Sequence, residues 1–227
     1  MKRTGYKHLD SVTALFVAVL LISNIASTKI VDFGIMELDG GVIIFPLSYI
    51  FGDILTEVYG YAKSRKVIWL GFTGAFLMSL VLIIVGVLPP SEGWGLQAEY
   101  EKILGLTPRI FLASLIAYWT GEFSNSFVLA KLKIITSGKW LWTRTIGSTI
   151  VGEFVDTIIF IIIAFYGVLP DSLIINLIIA NYIVKTLIEV FFTPVTYKIV
   201  HWLKKEESED YYDRDTDFNP FKIKYSD

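Results

Sequence analysis

The chain has 227 residues, of which 54% are hydrophobic and 19% are charged, with 20 Lys and Arg against 22 Asp and Glu. A mean hydropathy of +0.59 and a charged fraction below the roughly 25% of soluble domains argue against a soluble globular protein and predict a membrane protein. The absence of cysteine excludes disulfides and thiolate metal sites.

Six stretches are long and apolar enough to cross a bilayer, which takes about 20 mostly apolar residues. In chain order they cover about 9–30, 41–62, 67–91, 110–130, 145–169 and 172–198. They predict an all-α, polytopic membrane protein with six transmembrane helices in a domain of residues 1–203. The charged remainder, 204–227, is expected to form a solvated or loosely ordered cytoplasmic tail.

The positions of Lys and Arg predict the orientation of these spans. If the N-terminus is inside, sixteen basic residues fall in cytoplasmic segments and three, Lys29, Lys102 and Arg109, fall outside. Lys185 alone lies within a span. Because cytoplasmic loops carry the excess of basic residues, both termini are expected to be cytoplasmic.

Two sets of residues recur about 100 positions apart. Ser23-Asn24 returns as Ser124-Asn125, and Ser48 with Gly52-Asp53 returns as Ser148 with Gly152-Glu153. A shift of three helices reverses the direction in which the matched helices cross the membrane. The pattern therefore predicts an inverted 3+3 repeat, a construction common in secondary transporters.

Charged residues inside the spans are the main functional signal. Asp53 and Glu57 lie four residues apart, on one face of the second predicted helix. A charged side chain near the bilayer centre costs about 2.5–3.5 kcal/mol on insertion scales, so such residues normally face a bundle interior. The sequence places six acids in the spans against one base, Lys185, which is expected to pair with Glu189 or with an acid on another helix. The remaining acids must be protonated, solvated or reserved for a ligand, which makes protons or another coupling ion candidate partners.

The side chains near this depth define a candidate substrate site. Carboxylates accept from paired N–H donors, Asn offers both a donor and an acceptor, and aromatic rings offer flat surfaces. A planar, donor-rich heterocycle fits this set, and a small cation fits it too. The candidate substrate-binding residues are Asn24, Tyr49, Asp53, Glu57, Trp119, Glu122, Asn125, Arg144, Ser148, Glu153, Asp156 and Lys185.

One long motif in the second span resembles the signature of the vitamin uptake transporter family. It reads Phe45-Pro46-x-x-Tyr49-x-x-x-Asp53-x-x-x-Glu57-x-Tyr59-Gly60, followed by Arg65, and the resemblance continues through Asn125-Ser126 with Lys131 and Lys133 into Arg144-x-x-x-Ser148-x-x-x-Gly152-x-x-x-Asp156. The resemblance implies import of queuosine precursors, that is, 7-deazaguanines such as preQ0, preQ1 or queuine, and secondary transport by the chain alone is the leading hypothesis. It also implies a multi-pass protein of a prokaryotic cell membrane.

Two other classes of function compete with transport by the chain alone. The pattern Ala14-x-x-x-Ala18 is similar to one that substrate-binding components of ATP-driven energy-coupling-factor importers use to hold their partner; the ATPase would be a separate chain, since this one has no Gly-rich phosphate loop. An enzyme is not expected, because the two histidines, His8 and His201, lie at span ends and no nucleophile–base pair accompanies them. No cofactor, metal or direct nucleic-acid contact is expected, and a homo-oligomer is left open.

Overall fold

The structure is a computed structural model that describes residues 5–26, 29–32, 37–104, 108–167 and 171–222. It is built mainly of helices, as the sequence predicts, because a helix satisfies its own backbone hydrogen bonds where water is absent. The helices in the described part of the chain are α1 Leu9–Ala26, α2 Phe45–Tyr59, α3 Tyr61–Gly86, α4 Gln97–Leu104, α5 Pro108–Ile135, α6 Leu141–Phe165 and α7 Asp171–Glu207.

Between α1 and α2 the chain forms a short antiparallel ribbon rather than more helix. Strand β1, Ile30–Asp32, pairs with β2, Glu37–Asp39, in a register that places Val31 opposite Leu38. A 3₁₀ turn, Gly40–Ile43, then leads into α2. The first predicted span therefore ends too late, since α1 stops at Ala26.

The second predicted span, 41–62, covers a helix break. Gly60 adopts φ 86°, a conformation that glycine reaches without steric cost, and it separates α2 from α3. As a result α3 begins at Tyr61, six residues earlier than predicted, and α2 is only 15 residues long. The short helix α4 was not predicted.

Four helices in the described residues are long and apolar enough to cross a membrane: Leu9–Ala26, Tyr61–Gly86, Leu141–Ala164 and Ile174–Glu207. The exposed surface of α7 is mostly apolar, which agrees with a membrane environment. On α7 the side chains of Ile175, Ile179, Ile183, Leu187 and Phe191 repeat every four residues and are 49–78% exposed. Charged groups within the apolar stretches, such as Glu122, Glu153 and Glu189, are in contrast buried, which is the arrangement that a lipid environment favours.

Six helix ends meet at one end of the bundle, called here the terminal end. The backbone N–H groups of Lys7 and His8, just before α1, donate to the Glu207 carboxylate at the end of α7, at 2.8 and 2.7 Å. The Tyr59 hydroxyl, at the end of α2, donates to the same carboxylate at 3.0 Å. Lys133, near the end of α5, and Arg144, near the start of α6, meet at Glu57 close by.

The tail is not loosely ordered in its described part, which corrects the expectation from the sequence. α7 itself continues to Glu207, and residues 208–222 then fold back across the terminal end. Asp213 is 1% exposed and accepts the backbone N–H of Tyr61 with both carboxylate oxygens, at 3.0 and 3.1 Å. This carboxylate supplies a partner for the first N–H of α3, which has none within its own helix.

Candidate functional site

Asp53 lies at the centre of the buried polar interior, fully enclosed on α2. Its Oδ1 atom accepts from Asn125 Nδ2 of α5 at 2.8 Å and from the Ser148 hydroxyl of α6 at 3.3 Å. Its Oδ2 atom has no hydrogen-bond partner among the described residues. Three helices thus orient one carboxylate and leave one of its oxygens available.

Two glycines allow the helices around Asp53 to approach one another closely. A Cβ added to Gly121 of α5 would lie 2.7 Å from Asp156 Cβ and 3.0 Å from the Gly152 carbonyl oxygen, and one added to Gly152 of α6 would lie 2.9 Å from the Tyr49 ring. Backbones approach this closely only where side chains are absent. The buried Tyr49 ring consequently fits between α5 and α6, with its hydroxyl beside Gly121 and unpaired within the described structure.

Two further carboxylates are buried without visible compensation. Glu122 of α5 is 0% exposed and Glu189 of α7 is 1% exposed, and none of their four oxygens has a hydrogen-bond partner in the part of the chain described. Glu122 lies within electrostatic range of Asp53, Glu153, Asp156 and Glu189. These five acids are called here the carboxylate cluster.

Lys185 is the basic residue within this cluster. Its ammonium group lies 2.6 Å from Asp156 Oδ2 and 3.3 Å from Glu153 Oε2, and 4.5 Å from the centre of the Phe45 ring. Of the two partners that the sequence allowed for Lys185, the structure selects acids on another helix, α6. A single ammonium group cannot neutralise five carboxylates.

One turn towards the terminal end, Glu57 holds a second group of charges. Arg144 donates to Glu57 with Nη2 at 2.7 Å and Nε at 3.0 Å, and Lys204 donates at 2.6 Å. Lys133 lies 3.6 Å from the same carboxylate and donates to the Glu57 carbonyl oxygen at 2.5 Å. Asp210 of the tail lies 2.7 Å from Lys133 and 2.8 Å from Lys204. These five residues are called here the ion-pair cluster.

Two of the candidate residues predicted from the sequence contact residues outside the carboxylate cluster. Asn24 donates to the Leu20 carbonyl of its own helix at 2.8 Å and accepts from Ser114 at 3.1 Å. The Trp119 ring packs with aromatic rings of α3, α5 and the tail, at centroid distances of 5.4–5.8 Å from Trp69, Phe123 and Phe221. Among the contacts of the described residues, neither side chain joins the carboxylate cluster. Of the other ten candidates, Glu57 and Arg144 belong to the ion-pair cluster, and the remaining eight belong to the carboxylate cluster or contact it.

The sequence did not single out Lys204 or Asp210 as site residues, and Lys133 entered only through the family resemblance. Lys204 and Asp210 fall in a charged stretch that reads as a solvated tail, and only the fold brings them to Glu57. The one available sequence signal is indirect and concerns Lys204 alone: Glu57 is an acid within a predicted span and needs a basic partner. Within the described ranges, no group of three or more His, Cys, Asp and Glu residues is arranged to hold a metal ion.

An apolar exterior around an enclosed, charged interior defines the class of this protein as a multi-pass membrane protein with an internal polar site. The chain matches the family described as "Putative vitamin uptake transporter" over residues 39–199. It belongs to that family, which its description names as one of transporters.

Relatives from three bacteria were found. The chain is 31% identical over 189 residues to the "Probable queuosine precursor transporter" of Bacillus subtilis, covering 82% of this chain and 81% of the relative. It is 28% identical over 170 residues to the "Queuosine precursor transporter" of Escherichia coli, with 73% and 74% covered. A Haemophilus influenzae protein, named "Probable queuosine precursor transporter", is 25% identical over 126 residues, with 56% and 51% covered. No solved structure matches the chain.

Proposed function

We propose that this protein imports queuosine precursors, 7-deazaguanines such as preQ0, preQ1 or queuine, by secondary transport across the cytoplasmic membrane of a prokaryote. The names of the three bacterial relatives support the cargo. The observation that carries the proposal is the Glu122 carboxylate, which is fully buried beside Asp53 with both oxygens unpaired in the described structure. A buried carboxylate of this kind is costly unless a ligand or a proton satisfies it.

The chemistry of the cargo suits this carboxylate. A deazaguanine presents N1–H and an exocyclic amine on one edge, and a carboxylate with two free oxygens accepts both together. The free Oδ2 of Asp53, the Asn125 Oδ1 atom and the Tyr49 hydroxyl are further unpaired polar atoms in the same interior. We infer that Glu122 and Asp53 read the donor edge, with Asn125, Ser148 and Tyr49 around it. Glu153, Asp156 and Lys185 form the opposite side of the site.

A six-span topology with both termini cytoplasmic is part of the proposal. The short helix α2 is about 22 Å long at 1.5 Å per residue, and its Phe45–Tyr59 range ends at the terminal end, next to the start of α3. The start of α1 and the end of α7 lie at this same end, which is what an even number of passes requires. The basic residues of the loops favour the cytoplasmic side for it.

The inverted repeat remains a proposal with partial support. Asp53 and its counterpart in the second half, Glu153, both belong to the carboxylate cluster, and Ser148, the counterpart of Ser48, donates to Asp53. The first-half Asn24 does not follow this pattern, because it bonds to α1 and to Ser114 instead. A repeat that has diverged at Asn24 accounts for both observations.

The charge of the interior favours coupling to protons. Five carboxylates face one ammonium group, and Glu122 and Glu189 have no ion pair in the described structure. Binding a proton at Glu189, which leaves the Glu122 carboxylate ionised to accept the cargo, neutralises charge that burial makes costly. Proton release to the cytoplasm would then accompany release of the cargo. A cationic cargo such as preQ1 would offset the same negative charge.

The first test is direct binding to the purified protein. Calorimetric titration with preQ0, preQ1, queuine and, as the comparison base, adenine is carried out at acidic and at neutral pH. Binding of a deazaguanine but not of adenine supports the cargo, and dependence on pH supports a titrating carboxylate. If no deazaguanine binds at either pH, the proposed cargo is wrong.

The second test separates secondary transport from an ATP-driven importer. The chain is expressed in a host that lacks its own queuosine precursor transporter and any energy-coupling-factor module, and uptake of labelled precursor is followed with and without a protonophore. Uptake that the protonophore abolishes supports proton-coupled transport by this chain alone. Absence of uptake by a folded, ligand-binding protein would contradict it.

A further inference from the structure

The ion-pair cluster lies between the carboxylate cluster and the terminal end. Glu57 follows Asp53 by four residues on α2, an axial step of about 6 Å towards that end. One carboxylate, itself 0% exposed, there binds α5 through Lys133, α6 through Arg144 and α7 through Lys204. Because these contacts hold four helices together, they close the interior at this end.

The helices alone do not balance the charges at this point. Lys133, Arg144 and Lys204 bring three positive charges to the single negative charge of Glu57. Asp210, from the tail, supplies the second negative charge through its contacts with Lys133 and Lys204. Although partial burial opposes ionisation of Asp210, its hydrogen bonds to the two lysines hold its pKa below the usual range. The tail thus lowers the excess positive charge of the closed end from two to one.

The rest of the tail is fitted to the bundle, which argues against a chance contact. Arg65 Nη1 donates to the carbonyl oxygens of Asp217 at 2.8 Å and Asn219 at 2.6 Å, and the Trp69 indole donates to that of Pro220 at 2.8 Å. The Lys131 ammonium group lies 3.9 Å from the centre of the Phe218 ring.

Two glycines make room for tail side chains. Gly60 and Gly138, both at positive φ, lie against the rings of Tyr211 and Tyr212, so that a Cβ at either position would clash with the ring. The Asp210 side chain, in contrast, is 45% exposed. The rest of the tail is therefore anchored to the bundle. The Asp210 carboxylate, in contrast, can move away from the ion-pair cluster into solvent.

We propose that residues 208–222 form a cytoplasmic latch and that Asp210, Lys133 and Lys204 are its gate residues, which must separate before cargo leaves the carboxylate cluster for the cytoplasm. This inference rests on the proposed function for the direction of transport. The latch lies beyond the family match at 39–199, so it is a feature of this chain rather than of the family's matched region. It assigns a function to a segment that otherwise reads as a soluble extension.

The test uses the absence of cysteine. Ser148→Cys, whose side chain faces Asp53, reports access to the interior when a small cationic methanethiosulfonate that does not cross membranes is added to sealed inside-out vesicles. We expect Asp210→Asn to raise the modification rate by about tenfold, as a tenfold larger open population would. Asp210→Glu, which keeps the charge, is expected to stay near the parent rate.

The matched control is Asp215→Asn, which removes an exposed acid of the same tail. A parent-like rate in folded Asp210→Asn, or an equal rise in Asp215→Asn, would overturn the latch. If Asp210→Asn does not fold, Phe218→Ala is tested instead. This change removes a half-buried ring that anchors the tail and leaves the ion pairs intact. A several-fold rise is expected there, and no rise would contradict the proposal.

Failure of the latch and failure of the proposed function give different results. The modification rate needs no cargo, so it is informative even if no deazaguanine binds. Labelling of Asp215→Cys in vesicles of both orientations establishes the side on which the tail lies. If the tail lies outside, the proposed direction is wrong, and the reagent is then added to right-side-out vesicles to test the latch itself.

Discussion

At the scale of single residues, the structure separates two kinds of buried acid on the same helix face. Glu57 is saturated with cations from three helices, whereas Asp53, one turn away, accepts from two neutral donors and keeps one oxygen free. A carboxylate that is saturated with cations stabilises the fold, and one that is partly free is available to a ligand. Replacing Asp53 should therefore lower the affinity for the ligand, whereas replacing Glu57 should lower the stability of the fold.

Replacing Asp53 tests the ligand side of this distinction. Asp53→Asn keeps the shape but removes the charge, and truncating one partner of a buried charged hydrogen bond costs about 2–5 kcal/mol. We expect deazaguanine affinity to fall by about 100-fold, measured by calorimetric titration. Asp10→Asn, on the exposed start of α1, is the control and should bind like the parent. Unchanged binding by Asp53→Asn would remove this residue from the site.

Replacing Glu57 tests whether this residue stabilises the fold. Glu57→Gln leaves Arg144, Lys133 and Lys204 without their shared buried anion, and breaking a buried ion pair costs about 3–5 kcal/mol. The melting temperature in detergent should fall by about 10 °C. Glu206→Gln, which breaks the exposed 3.4 Å pair with Lys7, should change it little, because exposed pairs contribute about 0–1 kcal/mol. Equal melting of both variants would contradict the assignment.

At the scale of elements, the packing of α5 against α6 positions the site. Gly121 and Gly152 face each other's carbonyl oxygens at the crossing, and the Tyr49 ring of α2 fits beside them. The same crossing brings Asn125 and Ser148 to Asp53. Small residues here thus determine both the distance between the helices and the geometry of the polar interior.

A methyl group at the crossing of α5 and α6 should disturb both the distance between these helices and the geometry of the polar interior. We expect Gly121→Ala to lower the melting temperature and to abolish deazaguanine binding, because its Cβ would lie 2.7 Å from Asp156 Cβ and 2.5 Å from the Tyr49 hydroxyl. In Gly74→Ala of α3 the new methyl group meets only Val17 Cγ1, at 3.5 Å. That control should be neutral or more stable, since alanine is favoured over glycine in helices by about 0.5–1 kcal/mol. Parent-like binding by Gly121→Ala would show that the crossing does not position the site.

At the scale of the whole molecule, the fold is closed at the terminal end by charge and by the tail, and open to lipid along apolar helix faces. Asp53, Glu122 and Glu189 are at most 1% exposed, so the interior is occluded in this conformation. An occluded site is one of the states that alternating access requires. The direction of transport then follows from which end of the bundle faces the cytoplasm.

Single cysteines test the sidedness directly. Glu92→Cys, in the exposed loop between α3 and α4, should react with an impermeant maleimide in intact cells. Asp215→Cys, in the tail, should react only after permeabilisation, because the proposed topology places the tail in the cytoplasm. Gel-shift labelling measures both. Equal labelling of the two positions in intact cells would contradict the six-span topology.

How far the sequence predicts this site can be judged from single side chains. The sequence alone predicts that Asp53, Glu122, Glu153, Asp156 and Lys185 face an interior, since charges inside apolar stretches avoid lipid. The sequence allowed Lys185 two kinds of partner, and the structure selects Asp156 and Glu153. Which oxygens remain unpaired depends on helix rotation and spacing, which a one-dimensional pattern does not contain.

The sequence by itself determined the class of protein, its helical character and the charges that are buried within the apolar stretches, because membrane insertion depends on local length and hydropathy. Only the tertiary structure decided the ends of the helices, the ribbon before α2 and the docking of 208–222. Asp210 and Lys204 read as solvated charges until the fold brings them to Glu57. Long-range ion pairs join residues that are distant in sequence, as Glu57 and Lys204 are, and local composition carries no record of such a pairing.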